Sequence, residues 1–303
     1  MPAPYLSEID ASRHLLIAGP TASGKSALAM AVAQAQGGVV VNADALQVWS
    51  CWRLLTARPS ADDEALVPHA LYGHVAPGRS YSVGDWLRDL AGLTDRRLII
   101  VGGTGLYLTA LTRGLARIPA TPPELRARAD AILRGPDGLA ALLAGLDGRT
   151  AAGIDCRNPA RVQRAWEVLQ ATGRGLADWQ DETPPPLIAP EACQRVLITC
   201  DRDWLADRIA TRFHAMVASG VLDEVRGMLP HWDTNQQWAR AIGAPDLIAH
   251  LRGQADLNQS VQAAIIATRQ YAKSQRIWFR GRMRDWQPWH AGPSGASPLQ
   301  PER

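Results

Sequence analysis

A glycine-rich segment near the N-terminus has the residue types that bind a polyphosphate. It matches the pattern G-x-x-x-x-G-K-S in full, through Gly19, Pro20, Thr21, Ala22, Ser23, Gly24, Lys25 and Ser26. Glycines allow successive main-chain N–H groups to point inward at an anion, Lys25 adds a mobile cation, and Ser26 can hold Mg²⁺. Because Lys25 and Lys273 are the only lysines among 32 basic residues, a chance lysine is a poor explanation. We predict a phosphate-binding P-loop.

A carboxylate follows the next apolar run of the chain. Residues 38–42 predict a buried strand, and Asp44 comes just after it, where a doubly wound sheet delivers side chains to its ligand cleft. A strand predicted at residues 97–101 is followed by Gly102, Gly103 and Thr104, so the acidic strand end typical of nucleotide hydrolysis is missing. Asp44 is a candidate metal ligand or base. A solvated turn aspartate is the alternative.

The elements that must position these residues alternate between strand and helix. Apolar runs predict three buried parallel strands, at residues 14–18, 38–42 and 97–101. One more strand is predicted at residues 195–199. Helices are predicted at residues 26–36, 204–219, 222–229 and 258–280. This pattern predicts an α/β fold: a P-loop NTPase-like core with a parallel sheet covered by helices on both faces, plus a helical insertion domain.

Helix-start signals mark the insertion. Thr121 precedes two prolines and a glutamate, and Asn158 precedes Pro159 at the start of a helix that stops near Gly173. A proline-rich linker follows. We expect a discontinuous core with C-terminal helices, a helical insertion with its linker, and a mobile Pro-, Gly- and Ser-rich tail, at residues 1–115 and 191–286, 116–190, and 287–303.

The composition excludes several classes of protein. The chain has 303 residues, of which 47% are hydrophobic and 20% charged, and no apolar run approaches the roughly 18 residues that span a membrane. The N-terminal residues lack the apolar stretch of a secretory signal. The four cysteines are widely spaced, which is typical of reduced thiols. We expect a cytoplasmic protein with no membrane association.

Positive charge is concentrated in the C-terminal part of the chain. The net charge is only +3, but residues 240–284 contain eight basic and two acidic residues. Four of the basic residues recur at helical spacing along one face, Arg269, Lys273, Arg276 and Arg280. This stripe indicates an anionic partner such as an RNA backbone, and a solvated helix surface is the alternative.

Taken together, the motifs resemble the tRNA dimethylallyltransferase family, also called the isopentenyl-transferase family, in order and spacing over about residues 13–284. They are found at residues 19–26, 42–47, 56–59, 101–107, 158–164, 241–243 and 267–273. The resemblance implies transfer of a dimethylallyl group from dimethylallyl pyrophosphate to N6 of adenosine 37, 3′ of the anticodon. The tRNAs would be those that read codons starting with U, and the products N6-isopentenyladenosine and pyrophosphate.

The same resemblance implies a role for each candidate residue. The P-loop would hold the leaving pyrophosphate, with Lys25, Ser26 and Mg²⁺ neutralising the charge that develops on it. Asp44 would accept the amine proton, and Thr104 would orient the reactants. Arg212 would assist at the pyrophosphate, unless it is a solvent-facing helix arginine.

Further positions match the family's tRNA-binding segments. Gln47 is suited to an adenine edge through its paired donor and acceptor, and Arg161 and Arg164 could both grip phosphates, with a solvated helix face as the alternative. The implied tRNA-binding set is Asp44, Ala45, Leu46, Gln47, Thr104, Arg126, Ala160, Arg161, Arg164, Lys273 and Arg276. The partner would be the tRNA anticodon stem-loop, bound by a monomer.

Other functions compete with this interpretation. A small-molecule or nucleoside kinase would use the same P-loop for ATP, but the missing acidic strand end and the arginine-rich C-terminal half disfavour it. A catalytically silent RNA-binding relative would have no reason to keep Lys25, Ser26, Asp44, Thr104 and Arg212 together. Prenylation of free adenosine monophosphate is a third possibility, which the long insertion and the basic helix disfavour.

Overall fold

The computed structural model describes the backbone of residues 4–292 and 295–298 and the side chains of residues 6–292. The strands of this part of the chain are β1 (His14–Ala18), β2 (Val39–Asn42), β3 (His69–Ala70), β4 (Leu98–Gly102), β5 (Cys193–Cys200), β6 (Gln287–Gly292) and β7 (Gly295–Pro298). Its helices are α1 (Lys25–Gln36), α2 (Ala61–Leu66), α3 (Val83–Ala91), α4 (Gly105–Arg113), α5 (Pro123–Leu133), α6 (Gly138–Ala144), α7 (Gly148–Gly153), α8 (Pro159–Thr172), α9 (Leu176–Asp181), α10 (Arg202–Ala218), α11 (Val221–Met228), α12 (Ala244–Leu251) and α13 (Leu257–Arg282).

The strands form one sheet in the order β3-β2-β4-β1-β5-β6-β7. All neighbouring pairs are parallel except β6 and β7. Ala18 is in register with Gly102, and Asn42 with Val101, so β1, β2 and β4 end at the same edge of the sheet. The segments that follow these three strands, which contain the chemically interesting residues, therefore come together.

Helices cover both faces of the sheet because its central strands are apolar on both sides. On one face Leu15 and Ile17 of β1 pack with Val32 of α1. On the other face Leu16 packs with Trp86 of α3. Burial of both faces is expected for a parallel sheet and explains why these strands are continuous apolar runs without alternation. The predicted α/β class is confirmed.

The chain folds into two compact units. The larger unit, Met1–Thr112 with Leu187–Arg303, contains the sheet, and the smaller, Arg113–Pro186, contains α5 to α9. The smaller unit has its own apolar core, built from Ala129, Leu142, Val162 and Trp166. The smaller unit begins and ends a few residues earlier in the chain than the predicted insertion does. Near the C-terminal end of the predicted insertion, Ile188 already packs in the core of the larger unit.

The C-terminal segment differs from the sequence prediction of a mobile tail at residues 287–303. Residues 287–292 form β6, which pairs with β5, and residues 295–298 form β7. Trp289 is fully buried and Ala291 nearly so, which fixes β6 against the core. The prediction was wrong here because Pro and Gly dominate the composition and obscure two buried apolar positions at alternating spacing. Residues 293–294 and 299–303 lie outside the described residues.

Within the described part of the chain, no helix is both long enough and apolar enough to cross a membrane.

Candidate active site

The P-loop connects β1 to α1 and turns sharply before the helix begins. Ala22 and Gly24 both have left-handed backbone conformations, with φ of 63° and 91°. A positive φ is unusual for alanine, so the rest of the structure must hold this turn in place. Lys25 is the first residue of α1, and its Nζ donates to the carbonyl of Pro20 at 3.1 Å. The ammonium group thus lies against the loop that precedes it.

Two arginines of α10, one helical turn apart, hold the tip of this loop. Arg212 donates to Thr21 Oγ1 at 2.7 Å, and Arg208 Nε donates to the Ala22 carbonyl at 2.9 Å. The Arg208 guanidinium also stacks on the ring of Trp204 at 4.8 Å. Arg212 is half-buried against the P-loop and does not face solvent as the alternative interpretation had it.

The positive charges at this loop are only partly compensated by the protein. Burial lowers the pKa of Lys25 to about 8, Asp44 opposes this shift, and Arg212 reinforces it. Burial likewise lowers the pKa of Arg212 to about 10. Among the described side chains, neither residue has a carboxylate within salt-bridge distance. Two buried positive charges without a paired carboxylate favour the binding of an anionic ligand.

Asp44 is fixed by a hydrogen-bonded turn after β2. The buried Asn42 side chain accepts from the Asp44 N–H at 2.8 Å and donates to the carbonyls of Asp44 and Leu71 at 2.9 and 3.0 Å. Asp44 Oδ1 accepts from the N–H of Leu46 at 2.9 Å. Among residues 6–292 no donor bonds Oδ2, so this oxygen is available to accept a proton from a ligand.

Thr104 links the loop after β4 to the Asp44 turn. Its hydroxyl oxygen accepts from the N–H of Ala45 at 2.9 Å, and its own N–H donates to the Ala43 carbonyl at 3.2 Å. This close approach requires glycine at position 102, because a Cβ there would lie 2.1 Å from the Ala43 carbonyl oxygen. Thr104 therefore fixes the position of the turn that holds Asp44.

A pocket with an apolar wall opens between the P-loop and Asp44. Its polar lining is Thr21, Asp44, Thr56, Arg212, Thr268 and Tyr271. Its apolar lining is Leu46, Leu55, Ile209, Phe213, Met216 and Ile242. The pocket thus combines a carboxylate and an arginine with a surface for a hydrocarbon group.

Sequence reasoning missed this apolar lining and Tyr271. A signal for part of it was available, because Ile209, Arg212 and Met216 recur at a helical spacing on α10, and Thr268 and Tyr271 on α13. Nothing in the spacing indicated that these two helix faces would meet at the P-loop.

The chain supplies few metal ligands of its own. Within the described residues there is no group of three or more His, Cys, Asp or Glu side chains that could hold a metal ion. The Ser26 hydroxyl is exposed in the first turn of α1. A divalent ion bound there would need most of its ligands from phosphate oxygens and water, which suits Mg²⁺.

Gln47, expected to read an adenine edge, is already engaged by the protein. Its Nε2 donates to the carbonyls of Thr56 and Ala57 at 2.7 and 3.0 Å. Both amide hydrogens are therefore used, and the paired donor and acceptor that an adenine edge requires is not free. In this conformation Gln47 holds the segment that lines the pocket.

The candidate tRNA-binding residues of the smaller unit differ among themselves. Arg126 and Arg164 face the fully buried carboxylate of Glu167, at 3.5 and 3.8 Å. Arg164 also donates to Thr121. Arg161 is exposed at the start of α8, and its guanidinium makes no hydrogen bond or ion pair with the described residues; Ala160 beside it is exposed. The prediction that both Arg161 and Arg164 grip phosphates therefore concerns two residues in different environments.

The basic stripe of α13 lies partly at the surface. Lys273, Arg269 and Arg280 are exposed, and Arg276 is half-buried. Arg269 donates weakly to the carbonyl of Ala206 at 3.4 Å. The stripe leaves Lys273 and Arg280 open to an anionic partner.

Comparisons with known proteins decide the family. The model of the IPP transferase family matches residues 47–282, and that of the isopentenyl transferase family matches residues 12–66. The chain is 66% identical over 290 residues to the tRNA dimethylallyltransferase of Paracoccus denitrificans, covering 93% of this chain and 96% of that protein. The chain belongs to the IPP transferase family. The tRNA dimethylallyltransferase of Dinoroseobacter shibae is 60% identical over 290 residues, with 95% and 98% coverage.

Solved structures agree with this family membership. A tRNA isopentenylpyrophosphate transferase from Bacillus halodurans matches with a TM-score of 0.64 and 29% identity, covering 92% of this chain and 90% of that chain. A eukaryotic dimethylallyltransferase acting on tRNA matches at 23% identity with a TM-score of 0.78, covering 93% and 74%, which shows a shared fold. The resemblance predicted from the sequence is confirmed, and this IPP transferase family member is a transferase. Nothing found supports a kinase.

Proposed function

We propose that the chain transfers a dimethylallyl group from dimethylallyl pyrophosphate to N6 of adenosine 37, 3′ of the anticodon, in tRNAs that read codons starting with U. N6-isopentenyladenosine and pyrophosphate would be the products. The observation that carries this proposal is the pocket that combines Thr21 of the P-loop, Arg212 and Asp44 with an apolar wall. A kinase pocket would need space for a polar acceptor, whereas this wall suits a five-carbon hydrocarbon.

The P-loop binds the pyrophosphate. Main-chain N–H groups at the start of α1 would face the phosphate oxygens, and Lys25 and Arg212 supply two positive charges that burial makes costly to leave unpaired. The Ser26 hydroxyl would hold Mg²⁺ together with phosphate oxygens, and the ion would add charge neutralisation on the leaving group. Binding of the substrate thus compensates the charges that the protein leaves uncompensated.

The chemistry is a single displacement at the allylic carbon. The N6 nitrogen of adenine forms a bond to C1 of the dimethylallyl group while the C1–O bond breaks, and the electron pair of that bond leaves with the pyrophosphate. Asp44 Oδ2 accepts the N6 proton, since it is the carboxylate oxygen that no other donor of the described residues engages. Lys25 and Arg212 stabilise the negative charge that develops on the leaving oxygen.

The acceptor is a base extruded from the anticodon loop, where loss of stacking costs little. Asp44, Ala45, Leu46 and Thr104 would contact the nucleotide, and Gln47 would do so only through its Oε1, because its amide hydrogens are already used. The RNA backbone would be held by the exposed cations Lys273, Arg126 and Arg161 and by the half-buried Arg276 and Arg164, with Ala160 beside Arg161. We propose that the protein acts as a cytoplasmic monomer without a membrane.

The direct test is to incubate the purified protein with Mg²⁺, unmodified tRNA and radiolabelled dimethylallyl pyrophosphate. Label should appear on the adenosine 3′ of the anticodon, identified by mass spectrometry of nuclease fragments. A tRNA with guanosine at position 37 is the matched control and should take up no label. Label in free adenosine monophosphate and none in tRNA would contradict the proposed acceptor. Consumption of ATP with a small hydroxylated acceptor would contradict the reaction.

A further inference from the structure

The carboxamide of Gln275 joins two loops that are far apart in sequence. Gln275 lies on α13 with 5% of its surface exposed. Its Oε1 accepts from the N–H of Thr21 in the P-loop at 2.9 Å, and its Nε2 donates to the carbonyl of Gly103 after β4 at 3.0 Å. One buried side chain thus bridges the segment that holds pyrophosphate and the segment that holds Thr104.

The bridge is specific for a carboxamide and for its position. One loop presents an N–H and the other a carbonyl, so a side chain with one acceptor and one donor at this spacing satisfies both. A carboxylate would leave the Gly103 carbonyl without a donor, and an apolar side chain would leave both groups unpaired. The contact also requires glycine at position 103, because a Cβ there would lie 2.1 Å from Gln275 Nε2.

Tyr271, one helical turn before Gln275, lines the pocket together with Asp44. Burial, followed by the charge of Asp44, raises the pKa of its hydroxyl. It therefore remains a neutral hydroxyl at physiological pH. Gln275 bonds Gly103, and the neighbouring Thr104 accepts from the N–H of Ala45, so the bridge reaches the residue beside Asp44 through the loop after β4.

We propose that Gln275 is a positioning residue that fixes the separation between the pyrophosphate cradle and the loop that holds Asp44. It rests on the function proposed above. Gln275 does not line the pocket, so it contacts neither the dimethylallyl group nor the accepting nitrogen. Its effect is on alignment: a displacement of one loop by about 1 Å moves the electrophilic carbon away from the nitrogen and its base, which can lower the rate about a hundredfold without weakening the binding of either substrate.

The test compares Gln275→Met with Gln262→Met, a matched substitution at an exposed position of the same helix. For each variant we would measure kcat by label transfer, the Kd of inorganic pyrophosphate by calorimetry, and the Kd of an unmodified anticodon stem-loop. Gln275→Met should lower kcat at least tenfold with both Kd values within threefold of wild type, and Gln262→Met should change none of them. A kcat within threefold of wild type, or a loss of both affinities as large as that of kcat, would overturn the proposal.

Gly103→Ala provides an independent way to break the same bridge, and it keeps Gln275. The φ of Gly103 is not positive, so alanine is compatible with the backbone there, and its Cβ displaces the carboxamide. We expect the same loss of kcat with preserved Kd values, and a double variant no slower than the slower single variant. Independent, multiplicative losses would show that the two residues do not act through one bridge. If the wild-type protein transfers no label, the proposed function is wrong. If the wild-type protein is active and the variants do not show the expected losses, the positioning role alone is wrong.

Discussion

The edge of the sheet that forms the pocket and the arginine-rich helices of the smaller unit use positive charge in opposite ways. At the sheet edge, Lys25 and Arg212 have lowered pKa values and no carboxylate of the described residues at salt-bridge distance. In the helical unit, Arg126 and Arg164 share the buried carboxylate of Glu167. The first arrangement is costly for the free protein, and the second supports the fold.

This difference separates binding from structural roles. A buried cation without a counter-ion destabilises the folded chain, so its retention is explained by a ligand that supplies the missing charge. A cation paired with a buried carboxylate needs no further partner. The Arg161 side chain is exposed and has no charged partner among the described residues. In the helical unit, Arg161 is therefore a better candidate for an RNA contact than Arg164.

The largest effect is expected at the sheet edge from Asp44→Ala. Loss of the general base should lower kcat by about 10² or more, while the Kd of the anticodon stem-loop stays within about threefold. Single-turnover label transfer and filter binding would measure the two quantities. Asp62→Ala, at an exposed aspartate of α2, is the control and should behave as wild type. A loss of less than tenfold would mean that another group accepts the proton.

An intermediate effect is expected from the titration of Lys25. Its ammonium is protonated below its pKa of about 8 and neutral above it, so pyrophosphate binding should weaken as the pH rises. Between pH 7 and pH 9 the Kd of inorganic pyrophosphate should increase about tenfold beyond any change in the titration of the ligand itself. Lys25→Arg keeps its charge over this range and is the matched control. An equal increase in Lys25→Arg would assign the pH dependence to another group.

The smallest effects should distinguish two arginines of α8. Arg161→Ala should weaken binding of the anticodon stem-loop about fivefold and reduce the slope of log K against log salt by about 0.7 to 0.9. Arg164→Ala should leave that slope nearly unchanged and lower the free energy of unfolding by about 1 kcal/mol, because Glu167 loses a partner in a half-exposed pair. The reverse pattern would contradict the distinction between paired and unpaired arginines.

Much of the sheet was predictable from local pattern. The apolar runs of β1, β2, β4 and β5 coincide with the predicted strands to within two residues at each end, and α1, α8 and α10 begin or end within two residues of their predicted bounds. These elements are continuous in sequence and strongly apolar or clearly capped, so neighbouring residues contain the whole signal. The two-residue strand β3 and the strand β6 gave no such signal.

Side-chain partners were less predictable than elements. The sequence indicated that Gln47 could read a base, but the carbonyls of Thr56 and Ala57 already take both of its amide hydrogens. The pattern gave Arg161 and Arg164 the same role, and only the position of Glu167 separates them. Which donor meets which acceptor depends on residues that are distant in sequence, and spacing alone contains no information about them.

The sequence by itself determined the phosphate-binding loop, the carboxylate after β2 and the family, because each depends on residue types at fixed local spacing. Tertiary structure decided the rest. It placed α10 and α13 against the P-loop, and these helices supply the apolar wall of the pocket and the bridge through Gln275. The physical reason is that parallel strands bring their carboxyl ends to one edge, whereas the helix faces that close the site are selected by packing over long sequence distances.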